Sequence, residues 1–249
     1  MSHGYHSLLS PGRIGSMTLR NRIVVTAMGV SMAEEDGVCG PRICAYHEEQ
    51  AKGGVGLIVT GVAGVAWPVG SNQVNQIAIS DDRFLPGLRA LAEAAHKHGA
   101  KIAPQLHHGG LVALGDMLGA RPIWCPSLPD APKGDFTEYF LPEEVDEAPF
   151  GKVGEVSFKV MSVEDIRTVV QQFAEAAHRA QRASFDGVEI HGGHGYLLSS
   201  FLSPATNKRT DSYGGSAENR ARFLLEVIAA VRAATGEAFP VWCKLDSRS

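Results

Sequence analysis

The chain has 249 residues, 44% of them apolar, with 23 basic and 27 acidic side chains for a formal net charge of -4. That size can bury a full core in about one domain, and mild acidity with scattered Lys and Arg excludes the basic footprint of a nucleic-acid binder. The first twenty residues carry Gly4, Pro11, Gly12 and Gly15 without a continuous apolar run, so neither a secretory leader nor a membrane span is expected, and a cytoplasmic protein with small-molecule partners is.

Strand-like and helix-like runs alternate along the chain, the pattern of stacked βαβ units and therefore of a parallel sheet covered by helices. Ile23 to Met28 is an apolar strand-type run. A helix follows from about Pro41, with proline in its first turn, to Gly53-Gly54. Cys39 and Cys44 bracket its start, and with Cys125 and Cys243 they show no Cys-x-x-Cys spacing, so reduced thiols are expected rather than disulfides or zinc ligands. Val55 to Thr60 is the second strand. Phe84 to His98 repeats Leu88, Leu91, Ala92 and Ala95 on one helical face and closes at Gly99. Lys101 to Leu106 is the third strand. His107 to Met161 is rich in Pro and Gly, weak in periodicity and too long for an ordinary connection; it reads as a functional loop or lid, with room for short hairpins. Ser162-Val-Glu-Asp165 resembles a capping box opening a helix to about Ala183, with Ile166, Val169, Val170, Phe173 and Ala177 on one side. Gly187 to His191 is the fourth strand, Glu218 to Ala234 a helix closed by Gly236, and Pro240 to Leu245 the fifth strand.

An α/β fold of the TIM (β/α)8 type follows, of which residues 1–249 supply strands one to five; such a barrel has eight strands and about 250 residues or more. The expectation is the N-terminal portion of a longer barrel or a damaged product. An open doubly wound sheet would show Gly-x-Gly-x-x-Gly after its first strand. It is absent there, and Gly53-Gly-Val-Gly56 precedes a strand instead.

Active sites of such barrels gather at the carboxyl ends of the strands. Those ends offer Thr26-Ala27-Met28-Gly29, Thr60-Gly61-Val62, Gln105 with His107-His108, His191 with His194, and Lys244. His191, His194 and Tyr196 would stand on the rim, where two imidazoles polarise a carbonyl and a phenol delivers a proton. Four histidines also raise a metal-dependent hydrolase, but adjacent His107 and His108 point to opposite faces and no His-x-His opens the first strand. Metal ligands are expected to be none.

Val188-Glu-Ile-His191-Gly-Gly-His194-Gly-Tyr196, Asn207-Lys-Arg-Thr-Asp211, Tyr213-Gly-Gly-Ser-Ala-Glu-Asn-Arg220, Leu8-x-x-Pro11-x-x-Ile14-Gly15, Leu19-Arg-Asn-Arg22 and Ile102-Ala-Pro-Gln105-Leu-x-His resemble the Old Yellow Enzyme group of FMN-dependent oxidoreductases. The likeness is closest to its 2,4-dienoyl-CoA reductase-like and trimethylamine dehydrogenase-like branch, and it spans nearly the whole chain. It implies reduction of a carbonyl-conjugated C=C bond with hydride from NADH or NADPH by way of FMN. His191 and His194 would hold the carbonyl oxygen and Tyr196 would protonate the α-carbon. Gln105 would meet the flavin's pyrimidine edge, which a primary amide matches with one donor and one acceptor. Lys244, where the group more often has Arg, would face the charge that builds near N1 and O2; an ion pair with Asp246 or Glu189 is its competing role. Thr26, Ala27, Met28 and Gly29 would form a backbone platform beside the ring, with Gly61 on the next strand. Ala27 stands where Pro is common, and Gly29 where a relative carries a flavin-bonded cysteine, so attachment is expected to be noncovalent. Arg209, Asp211, Glu218 and Arg220 are expected to knit loop to helix rather than react.

Three alternatives stay open. An amine demethylase would want an aromatic bowl around a cation, a question that Trp67, Trp124 and the loop aromatics do not decide. A catalytically silent barrel fragment or partner-bound subunit would lack the phosphate-binding loops after strands seven and eight. The metal-dependent hydrolase is the third. An iron–sulfur cluster and FAD would belong only to a longer parent protein. The open edge of the fifth strand predicts a homo-oligomer or other association.

Overall fold

The computed structural model describes residues 5–130 and 156–247. A short helix α1 (His6–Leu9) leads into a hairpin of β1 (Gly12–Ile14) and β2 (Met17–Leu19), joined by Gly15-Ser16 with Gly15 in the left-handed region and Ile14 opposite Met17. The barrel strands follow in order: β3 (Val24–Val25), β4 (Leu57–Gly64), β6 (Lys101–His107), β9 (Val188–Gly192) and β10 (Val241–Leu245). They pair in parallel in the spatial order β10-β9-β6-β4-β3, and a two-residue β5 (Ile77–Ala78) adds to the end of β4. The result is a five-stranded parallel half-barrel, and β3 and β10 are its edges.

The crossovers are helical: α2 (Pro41–Lys52), α3 (Leu85–His96), α5 (Val163–Arg182) and α7 (Ala217–Thr235), with a short α6 (Leu197–Leu202) after β9. Local chemistry sets their limits. Ser162 Oγ accepts from the Asp165 N–H while the Asp165 carboxylate accepts from the Ser162 N–H, satisfying two donors at the start of α5. Gly99, φ +73°, ends the turn after α3 in a conformation that costs glycine nothing.

The strands bury both faces. All eight residues of β4 are buried, as a parallel strand covered on two sides requires. Ile58, Ile102, Leu106, Val188 and Ile190 pack outward against Ile43, Leu88, Leu91, Phe173, Phe223 and Val227 of the helices. Each of these fully buried side chains contributes roughly 1.5–3 kcal/mol by leaving water. The inner face is a separate cluster: Leu57 and Val59 meet Met17 and Leu19 of the hairpin, with Ile14, Ala27 and Trp242 against them. Leu57 opens β4, so the hairpin floors the amino end of the half-barrel.

Two expectations are corrected. The first strand is only Val24–Val25, because β3 is an edge strand with one neighbour and leaves the ladder two residues on. The second does not end at Thr60; it runs to Gly64 through an irregularity between Val59 and Val62, so Gly61 lies inside it. In the stretch 107–161, residues 131–155 lie outside the described residues. The remainder holds a one-turn helix α4 (Leu114–Leu118) and two strands, β7 (Ile123–Cys125) and β8 (Phe158–Val160), that pair in parallel and so form no hairpin. No helix among the described residues is long and apolar enough to cross a membrane.

Candidate active site

Period-two alternation decides which side chains enter the barrel. Gln105, Glu189 and Trp242 share one register across β6, β9 and β10, and one layer higher His191 is opposite Lys244. His107, two residues beyond Gln105, faces the same way. Gln105 Nε2 donates to Glu189 Oε1 at 2.6 Å and Trp242 Nε1 donates to Glu189 Oε2 at 2.7 Å. The carboxylate is thus anchored on both oxygens, while the Gln105 carbonyl and a second N–H stay available. Glu189 was not anticipated as a site residue, though a charged residue inside an otherwise apolar strand was a usable signal.

His191, His194 and Tyr196 come together as the sequence proposed. The His191 ring centroid lies 4.5 Å from that of Tyr196 and 5.0 Å from that of His194, and His107 joins at 4.8 Å from Tyr196. His191 Nδ1 accepts the Gly193 N–H at 3.3 Å, which fixes the proton on Nε2 and makes that nitrogen a donor. Burial, then the charges of His194 and Lys244, pushes its pKa down to about 3. His191 is therefore a neutral imidazole at physiological pH. His107 is held neutral by burial and by its neighbours His108 and His191, and neither of its ring nitrogens has a partner. His108 faces away: it accepts from the Gly110 N–H and packs 5.6 Å from Trp124, its pKa lowered by burial to about 4. Among the described residues no group of three or more His, Cys, Asp or Glu side chains could hold a metal ion.

The rim is pinned from the next strand. Asp246 accepts the His194 N–H at 2.8 Å and the Ser199 hydroxyl at 3.3 Å. His194 and Gly195 both have positive φ, 59° and 73°, so the carboxylate holds a turn that the backbone alone resists for a non-glycine residue. With Asp246 so engaged and Glu189 bound to Gln105 and Trp242, neither makes the ion pair that competed for Lys244. Tyr196 is half-buried; burial raises its pKa, and a hydrogen bond from Asn72 partly offsets that. Asn72 lies in a stretch without periodicity and carries no local signal of this contact.

Thr26 to Gly29 runs beside β4. A Cβ on Gly61 would sit 2.5 Å from the Met28 carbonyl oxygen, so Gly61 contributes an absence of side chain that lets the segment approach. Thr26, Ala27, Val59, Glu189, Trp242 and Lys244 are among the residues lining a concave space of about 380 Å³ inside the half-barrel. The lining has the chemistry a flavin ring would need on two sides: small residues at Thr26 and Ala27 and, among the described residues, a Lys244 ammonium without an ion pair, with the Gln105 amide hydrogen-bonded to the lining residue Glu189. In the 203–220 segment two arginines bind the loop to its surroundings. Arg209 bonds Asp211 and the Pro126 and Met161 carbonyls, and Arg220 bonds the Leu202 and Gly215 carbonyls.

A half-barrel with polar groups converging on its carboxyl rim has the layout of a βα-barrel enzyme site, and similarity to known proteins gives the class. The profile of the NADH:flavin oxidoreductase / NADH oxidase family matches residues 7–248, so the chain belongs to that family of flavin enzymes. It is 39% identical over 242 residues to NADH oxidase of Thermoanaerobacter brockii, covering 97% of this chain and 34% of that protein. It is 36% identical over 243 residues to N,N-dimethylglycine/sarcosine dehydrogenase of Chromohalobacter salexigens, covering 97% and 32%. The crystal structure of Old Yellow Enzyme from Pichia sp. AKU4542 superposes with a TM-score of 0.81 at 34% identity, covering 96% of this chain and 59% of that one. The chain thus spans about a third of the length of the two relatives.

Proposed function

We propose that this chain carries the ring-binding and substrate-activating part of an FMN-dependent reductase acting on carbonyl-conjugated C=C bonds. The observation that carries the reading is His191, a neutral imidazole whose Nε2–H is committed as a donor by the Gly193 N–H and whose ring stands 4.5 Å from the phenol of Tyr196. A fixed neutral donor strengthens its hold on a carbonyl oxygen as negative charge develops there, without first having to lose a proton.

In this reading His191 and His194 grip the carbonyl oxygen and draw electron density from the conjugated bond. Tyr196 delivers a proton to the α-carbon. Gln105 and Lys244 would hold the pyrimidine edge of noncovalently bound FMN, with Thr26 to Gly29 and Gly61 along its other side. When bound, that group supplies hydride obtained from NADH or NADPH. Amine oxidation is the second reading, favoured by the likeness to the dimethylglycine/sarcosine dehydrogenase. Among the described residues Trp124 offers it no open aromatic face: the ring packs on His108, and the Lys159 ammonium already sits 4.0 Å above it.

The test is the visible spectrum of the purified chain with added FMN, then anaerobic NADH, then cyclohexenone or dimethylglycine. Flavin that bleaches with NADH and recovers with cyclohexenone supports alkene reduction. Bleaching by the amine alone overturns it in favour of amine oxidation, and failure to bind FMN would make this chain a partial site.

A further inference from the structure

Asn72 donates its Nδ2–H to Tyr196 Oη at 2.6 Å across 124 residues of sequence. It sits between β4 and β5, and its own N–H donates to Gln76 Oε1 at 3.0 Å. Gln76 is 2% exposed, and its Nε2 occupies the space over Gly64, where an added Cβ would come within 2.9 Å. Gly64 is the register partner of His107, so the missing side chain lets Gln76 reach in beside the imidazole cluster and set Asn72 against the phenol.

A phenol hydroxyl keeps its hydrogen near the ring plane, in one of two directions. An amide N–H arriving from one side takes an oxygen lone pair there and turns the O–H to the other. We propose that Asn72 is a positioning residue for the proton donor: it aims the Tyr196 O–H away from the protein and receives the charge left on Oη after transfer. This rests on the reading of Tyr196 as the acid. In the step, the Tyr196 O–H bond breaks and a C–H bond forms at the α-carbon from the enolate electron pair. That pair is the former C=C π pair, displaced onto the enolate when the hydride that reduced flavin would supply bonds to the β-carbon. The negative charge passes to Oη, where the Asn72 N–H stabilises it, and water restores the proton.

The opposite amide orientation would aim Asn72 Oδ1 at the phenol, tie up the proton and hold Tyr196 back. The two differ in sign. Tyr196 is titrated by ultraviolet difference against Tyr196→Phe, without cofactor, in the Asn72→Leu and Asn72→Asp backgrounds. Losing a donor to the phenolate raises the Tyr196 pKa by about one unit in Asn72→Leu, and more in Asn72→Asp; a fall or no change overturns the proposal. In FMN-loaded protein reducing cyclohexenone, Asn72→Leu lowers kcat about tenfold with KM little changed, and has no further effect once Tyr196 is Phe. An equal loss in both backgrounds would mean a merely structural Asn72. Full activity of Tyr196→Phe would remove the acid assignment itself, while the titration would still report whether Asn72 donates.

Discussion

Gln105 and Glu189 lie side by side on β6 and β9, and a 2.6 Å hydrogen bond joins the amide to a carboxylate whose other oxygen is held by Trp242. An anion is thus fixed inside the barrel beside the amide proposed to read the flavin. Gln105→Ala is expected to weaken FMN binding by about tenfold, the worth of one hydrogen bond to a buried partner, measured by flavin fluorescence quenching. Unchanged affinity would remove Gln105 from the cofactor site.

Glu189→Gln keeps the shape of that network and removes its charge. A negative group near the ring disfavours the electron-rich reduced flavin. The substitution should raise the reduction potential in a dye-equilibration titration, and a lowered potential would show that Glu189 acts otherwise.

The buried imidazoles set the acid limit of stability. His108 and His191 have pKa values lowered from the usual His range to about 4 and about 3, so between those values and about 6.5 the unfolded chain binds more protons than the folded one. Stability is full above about pH 6.5 and falls as pH drops through this window, by up to ~1.4 kcal/mol per pH unit for each group. Urea midpoints at pH 7 and pH 5 should differ accordingly, and His108→Leu should shrink the difference. No inflection from His191 is expected in a pH–rate profile between pH 5 and 8.

Gly61→Val places carbon atoms against the Met28 carbonyl, where even a Cβ would stand 2.5 Å away. Displacing the Thr26 to Gly29 segment should cost about 2 kcal/mol, seen as a lower melting temperature, together with loss of FMN binding. Binding that survives would separate the platform from the cofactor.

Asp246→Ala releases the His194 N–H and the Ser199 hydroxyl. The strained His194-Gly195 turn should then relax, lowering kcat/KM for cyclohexenone about tenfold with little change in melting temperature. A large loss of stability instead would mean that the contact is needed for folding.

The helices were legible because their signals are local. The Ser162 to Asp165 capping box, the proline opening α2 and the glycine after α3 each act within a few residues, and the barrel order followed from the βα alternation. The first strand was overextended because the apolar run Ile23 to Met28 does not reveal that only Val24 and Val25 find a partner. The hairpin flooring the barrel went unread although Gly15-Ser16 is a hairpin-type turn, since three residues on either side are too few to show alternation. The His191, His194 and Tyr196 group could be read because its members are neighbours in the chain. Asn72 could not, since a contact across 124 residues is made by the fold; the lone charge of Glu189 in an apolar strand marks it as unusual, but its bonds to Gln105 and Trp242 come only from strand register.

The floor also orders events in time. It is built from Met17 and Leu19 packed on Leu57 and Val59, but Trp242 also packs against that cluster and the Ser16 hydroxyl bonds the Ala238 carbonyl. During synthesis the hairpin therefore keeps part of its apolar side uncovered until Trp242 is made, more than two hundred residues after Leu19. Contacts of such sequence separation are slow to form and leave apolar surface open to wrong partners, so the ribosome delivers the floor of this vessel long before the wall that completes its seat.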